Sequence, residues 1–286
     1  MPRYSLQGKV ALITGGARGI GFGTAQALRA RGCRLALLDL ETGAVTSAAA
    51  SLGGDAAIGI AADVTDSEAI EAAVAATVEH FGGVDVVVAN AGIAPTPATT
   101  RTMDPIEFER VVEVDLLGVY RTVHAALPQI VARRGQAVLV SSVYAFLNGV
   151  LLSPYAVSKA GVEQLGRALR LELAPHGASA TVAYFGFVDT RMVQDLLDAD
   201  PDAAARQEMF PAFMRRRITP AQAGEAIAGA IERRRARVIA PRYWTAMSVL
   251  RGIVNPPFDL MGTREPRVQG LIRESEAAVQ PTEEGS

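Results

Sequence analysis

The stretch Lys9-Val10-Ala11-Leu12-Ile13-Thr14-Gly15-Gly16-Ala17-Arg18-Gly19-Ile20-Gly21 decides how the rest of the chain is read. Its first half is an apolar run of strand length. Its second half is a glycine cluster leading into an apolar-periodic segment, residues 20–31, that stops at Gly32. A strand, a glycine turn and a helix in that order open a parallel crossover unit. Glycines there permit a tight turn and a close approach of backbone to an anion, and the helix N-terminus aims its unpaired N–H groups at that anion.

The same alternation continues outward. Residues 34–39, 57–62, 84–89, 137–141, 179–185 and 237–239 read as further strands. Residues 42–52, 67–81, 155–174 and 220–234 read as helices, and 105–134 as one long helix kinked at Pro128. The strands are almost uninterrupted apolar runs, so both sheet faces are covered. The fold class is therefore α/β: a doubly wound parallel sheet of Rossmann type. One domain is expected over residues 1–240, with a substrate lid at about 187–217, followed by a C-terminal extension over 241–286.

Composition removes several classes of function. Lys+Arg is 28 and Asp+Glu is 30, so there is no basic excess for a nucleic-acid partner. Cys33 is the one cysteine, which excludes an intrachain disulfide framework and any zinc site built on several thiolates, and no metal is expected. No run of 18 apolar residues exists, and the residues before Val10 lack a signal-peptide core. The expected setting is cytoplasmic and reducing. Only Lys9 and Lys159 are lysines, against 26 arginines, so a lysine at any given position of this chain is improbable.

Asp39 ends the second strand, 20 residues after Gly19. An acid there accepts hydrogen bonds from an adenosine ribose and repels a 2′-phosphate, which favours NAD over NADP. Arg18 pulls the other way, because a guanidinium beside the ribose pairs with that phosphate.

With these residues the sequence resembles the short-chain dehydrogenase/reductase family. Thr14-Gly15-x-x-x-Gly19-x-Gly21 matches its TGxxxGxG loop, Asp63-Val64 its adenine-contacting pair, and Asn90-Ala91-Gly92 its NAG motif. Ser142, followed 13 residues later by Tyr155-x-x-x-Lys159, matches its catalytic residues, and Val188-x-Thr190 its nicotinamide segment. The likeness extends over about residues 5–240. It implies hydride transfer between NAD(H) and a secondary alcohol or ketone, in a homodimer or homotetramer. It also implies a cofactor held by Gly15, Arg18, Gly19, Ile20, Gly21, Asp39, Asp63, Val64, Asn90, Ala91, Gly92, Tyr155, Lys159, Gly186, Val188 and Thr190.

The chemistry also follows from the residues. Tyr155 and Lys159 lie four apart on one helix and project from one face. A free phenol titrates near ~10, and a neighbouring ammonium favours the phenolate. Tyr155 is thus the general acid/base, Lys159 its tuner, and Ser142 the donor that stabilises the substrate oxygen. Two departures from the family pattern stand out. Val114-Asp115-Leu116-Leu117-Gly118 carries Asp115 where the family has its fourth catalytic residue, an asparagine, so Asp115 joins the catalytic set. A carboxylate there is expected to raise the Lys159 pKa and alter the pH profile. Tyr184-Phe185-Gly186 stands where the family has Pro-Gly.

Substrate contacts are expected from Ser142, Tyr144 and Tyr155, with Phe146 and Leu147 nearby. Met192, Val193, Leu196, Leu197, Met209, Phe210, Phe213 and Met214 form an apolar lid. Together they suggest a lipophilic alcohol or ketone. Residues 243–254 are amphipathic and expected to stop at Pro256-Pro257. With nine arginines in 206–242 they hold the parts of an interfacial segment, although packing on the subunit or across a dimer is the favoured expectation. The tail from Glu274 is expected to fray. Alternatives are an NADPH-dependent ketone reductase, resting on Arg18, and a catalytically weak dinucleotide sensor, resting on Asp115 and Phe185.

Overall fold

The computed structural model describes residues 3–197 and 215–277. Seven strands, β1 (Val10–Thr14), β2 (Arg34–Asp39), β3 (Ala57–Ala61), β4 (Val86–Ala89), β5 (Gln136–Ser142), β6 (Ser179–Phe185) and β7 (Arg237–Ala240), form one wholly parallel sheet in the order β3-β2-β1-β4-β5-β6-β7. Alternate residues serve opposite faces. Ile13, Leu37, Val88 and Val138 meet α1 (Gly19–Arg29), α2 (Thr42–Ser51) and α8 (Pro220–Glu232) on one side. Leu12, Leu38, Val87 and Leu139 meet α3 (Ser67–Phe81), α5 (Gly118–Ala132) and α6 (Ser153–Leu173) on the other. This double covering is why the strands are apolar throughout.

Helices α1 and α8 approach so closely that each needs a glycine. A Cβ on Gly224 would overlap the carbonyl oxygen of Gly23, and one on Gly23 would overlap that of Pro220. Gly224→Ala is therefore expected to lower unfolding stability by about 1–3 kcal/mol, as overpacking does. A denaturant midpoint equal to wild type would show that the two helices can separate freely.

Three expectations need correction. The stretch 105–134 is not one continuous α-helix; Pro128 lies inside α5. It divides further upstream, where α4 (Pro105–Val112) passes through a widened π-turn, Glu113–Leu117, before α5 begins. Pro256 and Pro257 do not end their helix: α9 runs Trp244–Gly262 through both. The prolines are exposed, so the carbonyls they leave unpaired face water, and bonds from Asn255 to Phe146 and from Asn148 to Asp259 anchor the helix on either side. The chain from Glu274 is helical as far as Ala277 in α10 (Pro266–Ala277), because Arg101 binds Glu276 through two guanidinium nitrogens. Residues 278–286 lie outside the described residues.

Candidate active site

Strand order reverses between β1 and β4, and the loops after these strands diverge there to leave a crevice, the usual ligand position in such sheets. Asn90 closes its floor. Its side-chain amide donates to the carbonyls of Thr14 (2.9 Å) and Gly15 (3.2 Å), while Thr14 Oγ1 accepts from the amides of Asn90 and Ala91. The NAG segment thus holds the glycine loop in shape. Gly15 takes φ +62°, and a Cβ on Gly21 would overlap the Gly15 carbonyl. Helix α1 starts without a side-chain cap, so its first N–H groups are left for an anion. That uncapped end and the glycine-lined crevice fit a dinucleotide pyrophosphate.

Asp39 sits at the C-terminal end of β2, where its carboxylate accepts from Ala17 N (3.1 Å) and Leu40 N (3.0 Å). Arg18 does not stand clear for a phosphate: its guanidinium lies 3.3 Å from Glu41 and 4.0 Å from Asp39. Asp63 accepts from Thr65 N at 2.8 Å, and Val64 packs against Gly118. Across the crevice Thr190 lies against Gly19, and Val188 is buried in the core. Trp244, almost fully buried, presses on Gly186, whose amide donates to Ala240 O at 3.0 Å. This indole brace is a feature the sequence reading missed, since it comes from α9, beyond the residues that carry the family motifs.

The four candidate catalytic residues converge on the same end of the sheet. Ser142 ends β5, and its hydroxyl donates to Phe185 O (3.3 Å) and accepts from Tyr144 N (3.3 Å). Tyr155 and Lys159 rise from the first turns of α6, with the ammonium 5.3 Å from the centre of the Tyr155 ring. The widened turn at Glu113–Leu117 carries Asp115 inward, fully buried, to 2.9 Å from Lys159 Nζ, and its other oxygen accepts from Ile93 N at 2.7 Å.

Electrostatics within this cluster oppose one another. Burial pushes the Tyr155 phenol above its ordinary pKa; the Lys159 ammonium lowers it, Asp115 raises it further, and a hydrogen bond with Ser142 lowers it again. The net direction is upward, so the lysine's effect, expected from spacing, is outweighed. Burial alone would pull Lys159 down, but Asp115 and Tyr155 more than offset it and the net shift is upward, as expected for an added carboxylate. Burial likewise raises Asp115, against the pull of Lys159.

A small cleft beside the phenol is lined by Ala94, Pro95, Ser142, Val143, Tyr144, Leu152, Tyr155, Gly186, Phe187, Met192 and Val193. A wider cavity of about 530 Å³ adjoins it through Ala94, Pro95 and Met192. Tyr144 meets Tyr155 edge-on at 5.9 Å. Phe146 and Leu147, expected nearby, instead pack into a buried cluster with Tyr184 and Trp244. Of the expected lid, Met192 and Val193 line the cleft; the side chains of Leu196 and Leu197, and all of Met209, Phe210, Phe213 and Met214, lie outside the described residues. Among the described residues no cluster of His, Cys, Asp or Glu could hold a metal ion, and no helix is long and apolar enough to cross a membrane.

A family model described as short chain dehydrogenase matches residues 9–201. The cis-4-hydroxycyclohexanecarboxylate dehydrogenase of Sinomonas cyclohexanicum is 35% identical over 77% of this chain and 88% of its own length. The galactitol 2-dehydrogenase of Agrobacterium fabrum is 37% identical over 64% of this chain and 72% of its own. A crystal structure of a short-chain type dehydrogenase/reductase from Mycobacterium marinum superposes with a TM-score of 0.74, covering 82% of this chain and 94% of that one at 28% identity.

Proposed function

This chain belongs to the short-chain dehydrogenase/reductase family, and from that premise we propose that it oxidises a lipophilic, ring-bearing secondary alcohol with NAD+, or reduces the matching ketone with NADH. The observation that carries this reading is that Ser142 and Tyr155 line an apolar cleft, with the Tyr155 ring 5.3 Å from a Lys159 ammonium that is itself paired with buried Asp115. The relatives act on a ring alcohol in one case and a sugar alcohol in the other. The cleft lining, with Leu152, Phe187, Met192 and Val193, favours the ring.

When bound, the nicotinamide supplies hydride acceptance and donation. The chain's own residues do the rest. Ser142 Oγ and Tyr155 Oη bind the substrate oxygen, and the phenol takes its proton during oxidation or returns it during reduction. The Lys159 ammonium, fixed by Asp115, lowers the cost of the phenolate. Gly15, Gly19, Ile20 and Gly21 would hold the pyrophosphate, with Arg18 beside it. Asp63, Val64 and Ala91 would border the adenosine and its ribose, and Gly92, which lies against Asp115 and Lys159, would join Gly186, Val188 and Thr190 toward the nicotinamide end. Homo-oligomerisation and a reducing cytoplasmic setting belong to the same reading; the lone thiol, Cys33, is buried and pushed up to about 12, so it stays inert.

The test is cofactor absorbance with NAD+ and NADP+ across a panel running from polyols through cyclohexanols and terpene alcohols to sterols. Turnover confined to polyols would overturn the substrate reading. Asp39→Ala is expected to raise the affinity for NADP(H) relative to NAD(H) by about tenfold or more, the scale of one charge-assisted hydrogen bond. An unchanged ratio in fluorescence titrations would remove Asp39 as the selector.

A further inference from the structure

The chain leaves β6 through Phe185-Gly186-Phe187, a turn with no proline to fix a φ and with the most permissive residue at its centre. Nothing in that local sequence stiffens it. The residues that follow are paired all the same. Asp189 N donates to Ile218 O at 2.9 Å and Ile218 N to Phe187 O at 3.0 Å, in a parallel bridge of Val188 with Ile218. Gly186 and Phe187 line the substrate cleft, and Thr190 lies against Gly19 of the glycine loop. Residues 186–190 thus form a wall shared by cleft and crevice, and their shape has to be set by packing from elsewhere.

Helix α9 supplies that packing. Trp244, 1% exposed, is wedged among Val143, Phe146, Tyr184 and Ile239 at the C-terminal ends of β5, β6 and β7. A Cβ on Gly186 would overlap the indole Nε1 and crowd Cδ1 and Cε2, so the ring rests on backbone at the turn itself. The neighbouring Tyr243 donates through Oη to Arg216 O at 3.4 Å, just before Ile218. The start of α9 therefore touches both partners of the bridge. The helix is a firm support: Arg251 binds Glu163 through two 2.8 Å bonds, and Asn255 donates to Phe146 O at 2.7 Å. We propose that Trp244 is a positioning residue, its indole holding residues 186–190 in the shape that receives the nicotinamide end of the cofactor, a role that rests on the function proposed above. Without the ring only a fraction of molecules has the segment in place, and the apparent cofactor affinity falls by that fraction. The chemical step in molecules that have bound is spared, because the Tyr155–Lys159–Asp115 geometry is held by α6 and the widened turn instead.

The test compares Trp244→Leu and Trp244→Phe with the wild type by hydrogen exchange and by NADH titration. The titration is read from the coenzyme's own fluorescence, since Trp244 is the one tryptophan. In Trp244→Leu, exchange at the Asp189 and Ile218 amides is expected to speed about tenfold while that of β1 and β4 stays as in wild type. The NADH dissociation constant is expected to rise about tenfold, with kcat at saturating cofactor within about threefold. Trp244→Phe, which keeps a ring over Gly186, is expected to recover most of both. Gly186→Ala probes the same contact without opening the core. It is expected to weaken NADH about tenfold in the wild type, where the methyl meets the indole, but less than about twofold when added to Trp244→Leu, where there is room. A lowered denaturant midpoint in Trp244→Leu, with exchange at these two amides and NADH affinity both unchanged, would make the indole core filling and overturn the proposal. So would a Gly186→Ala effect of equal size in both backgrounds. Faster exchange at Asp189 and Ile218 in Trp244→Leu, beside a wild type that binds no nicotinamide dinucleotide, would instead overturn the function proposed above, and the positioning role with it.

Discussion

Tyr155→Phe is expected to reduce turnover by about a thousandfold, in the range attributed to one acid/base group, while NADH binding stays within about twofold of wild type. The substitution deletes one oxygen and leaves the ring. The edge-on contact with Tyr144 at 5.9 Å and the Lys159 ammonium 5.3 Å from the ring centre both survive. Neither the fold nor the glycine crevice therefore has reason to change, and the loss falls on the proton step. Ser142→Ala gives the companion result, a loss of about a hundredfold, because it removes one donor to the substrate oxygen and leaves the base in place. Single-turnover absorbance and a fluorescence titration of NADH, run on the same preparations, separate chemistry from binding. Persistent turnover in Tyr155→Phe would remove the assignment. Joint loss of turnover and NADH binding would make Tyr155 a structural element of the cofactor site instead.

How much of this was legible in the sequence differs between strands and bends. Strands β2 and β6 and helix α3 have the bounds their patterns predict, because apolar runs closed by glycine or polar turns leave little freedom. The glycine loop was equally readable, since its spacing reflects contacts within a few residues. What local pattern does not encode is how a helix bends and which face it docks. Residues 105–134 read as one helix, but a widened turn interrupts it at Glu113–Leu117, where Asp115 is buried against Lys159. Pro256-Pro257 looked like a stop, but anchors from loops far away in sequence hold the helix together. Each of the two lysines lies 2.9 Å from a fully buried aspartate, Lys159 from Asp115 at the site and Lys9 from Asp85 before β4 at the opposite end of the sheet. A compact ammonium is present where a buried carboxylate needs a point charge, and arginine serves nearly everywhere else.

That pairing sets the second large effect. Asp115→Asn keeps an acceptor for the Ile93 amide but takes the countercharge from a buried ammonium. Removing one partner of a buried ion pair costs about 3–5 kcal/mol, so the unfolding free energy is expected to fall by that amount at neutral pH, and the denaturant midpoint with it. The effect on rate has a definite sign. Asp115 raises both Tyr155 and Lys159. Without it the phenolate forms at lower pH, so the acid limb of the alcohol-oxidation profile moves down. Lys159 loses its proton at lower pH as well, so the alkaline fall-off arrives earlier and the whole profile shifts toward acid. Measurement of kcat/KM against pH for both proteins decides the matter. Superimposable profiles would mean that Asp115 acts only through its bond to Ile93, a backbone role that asparagine fills as well. A shifted profile with a lowered midpoint would mean that the carboxylate itself sets the working pH of the tyrosine, a role an asparagine at this position has no charge to perform.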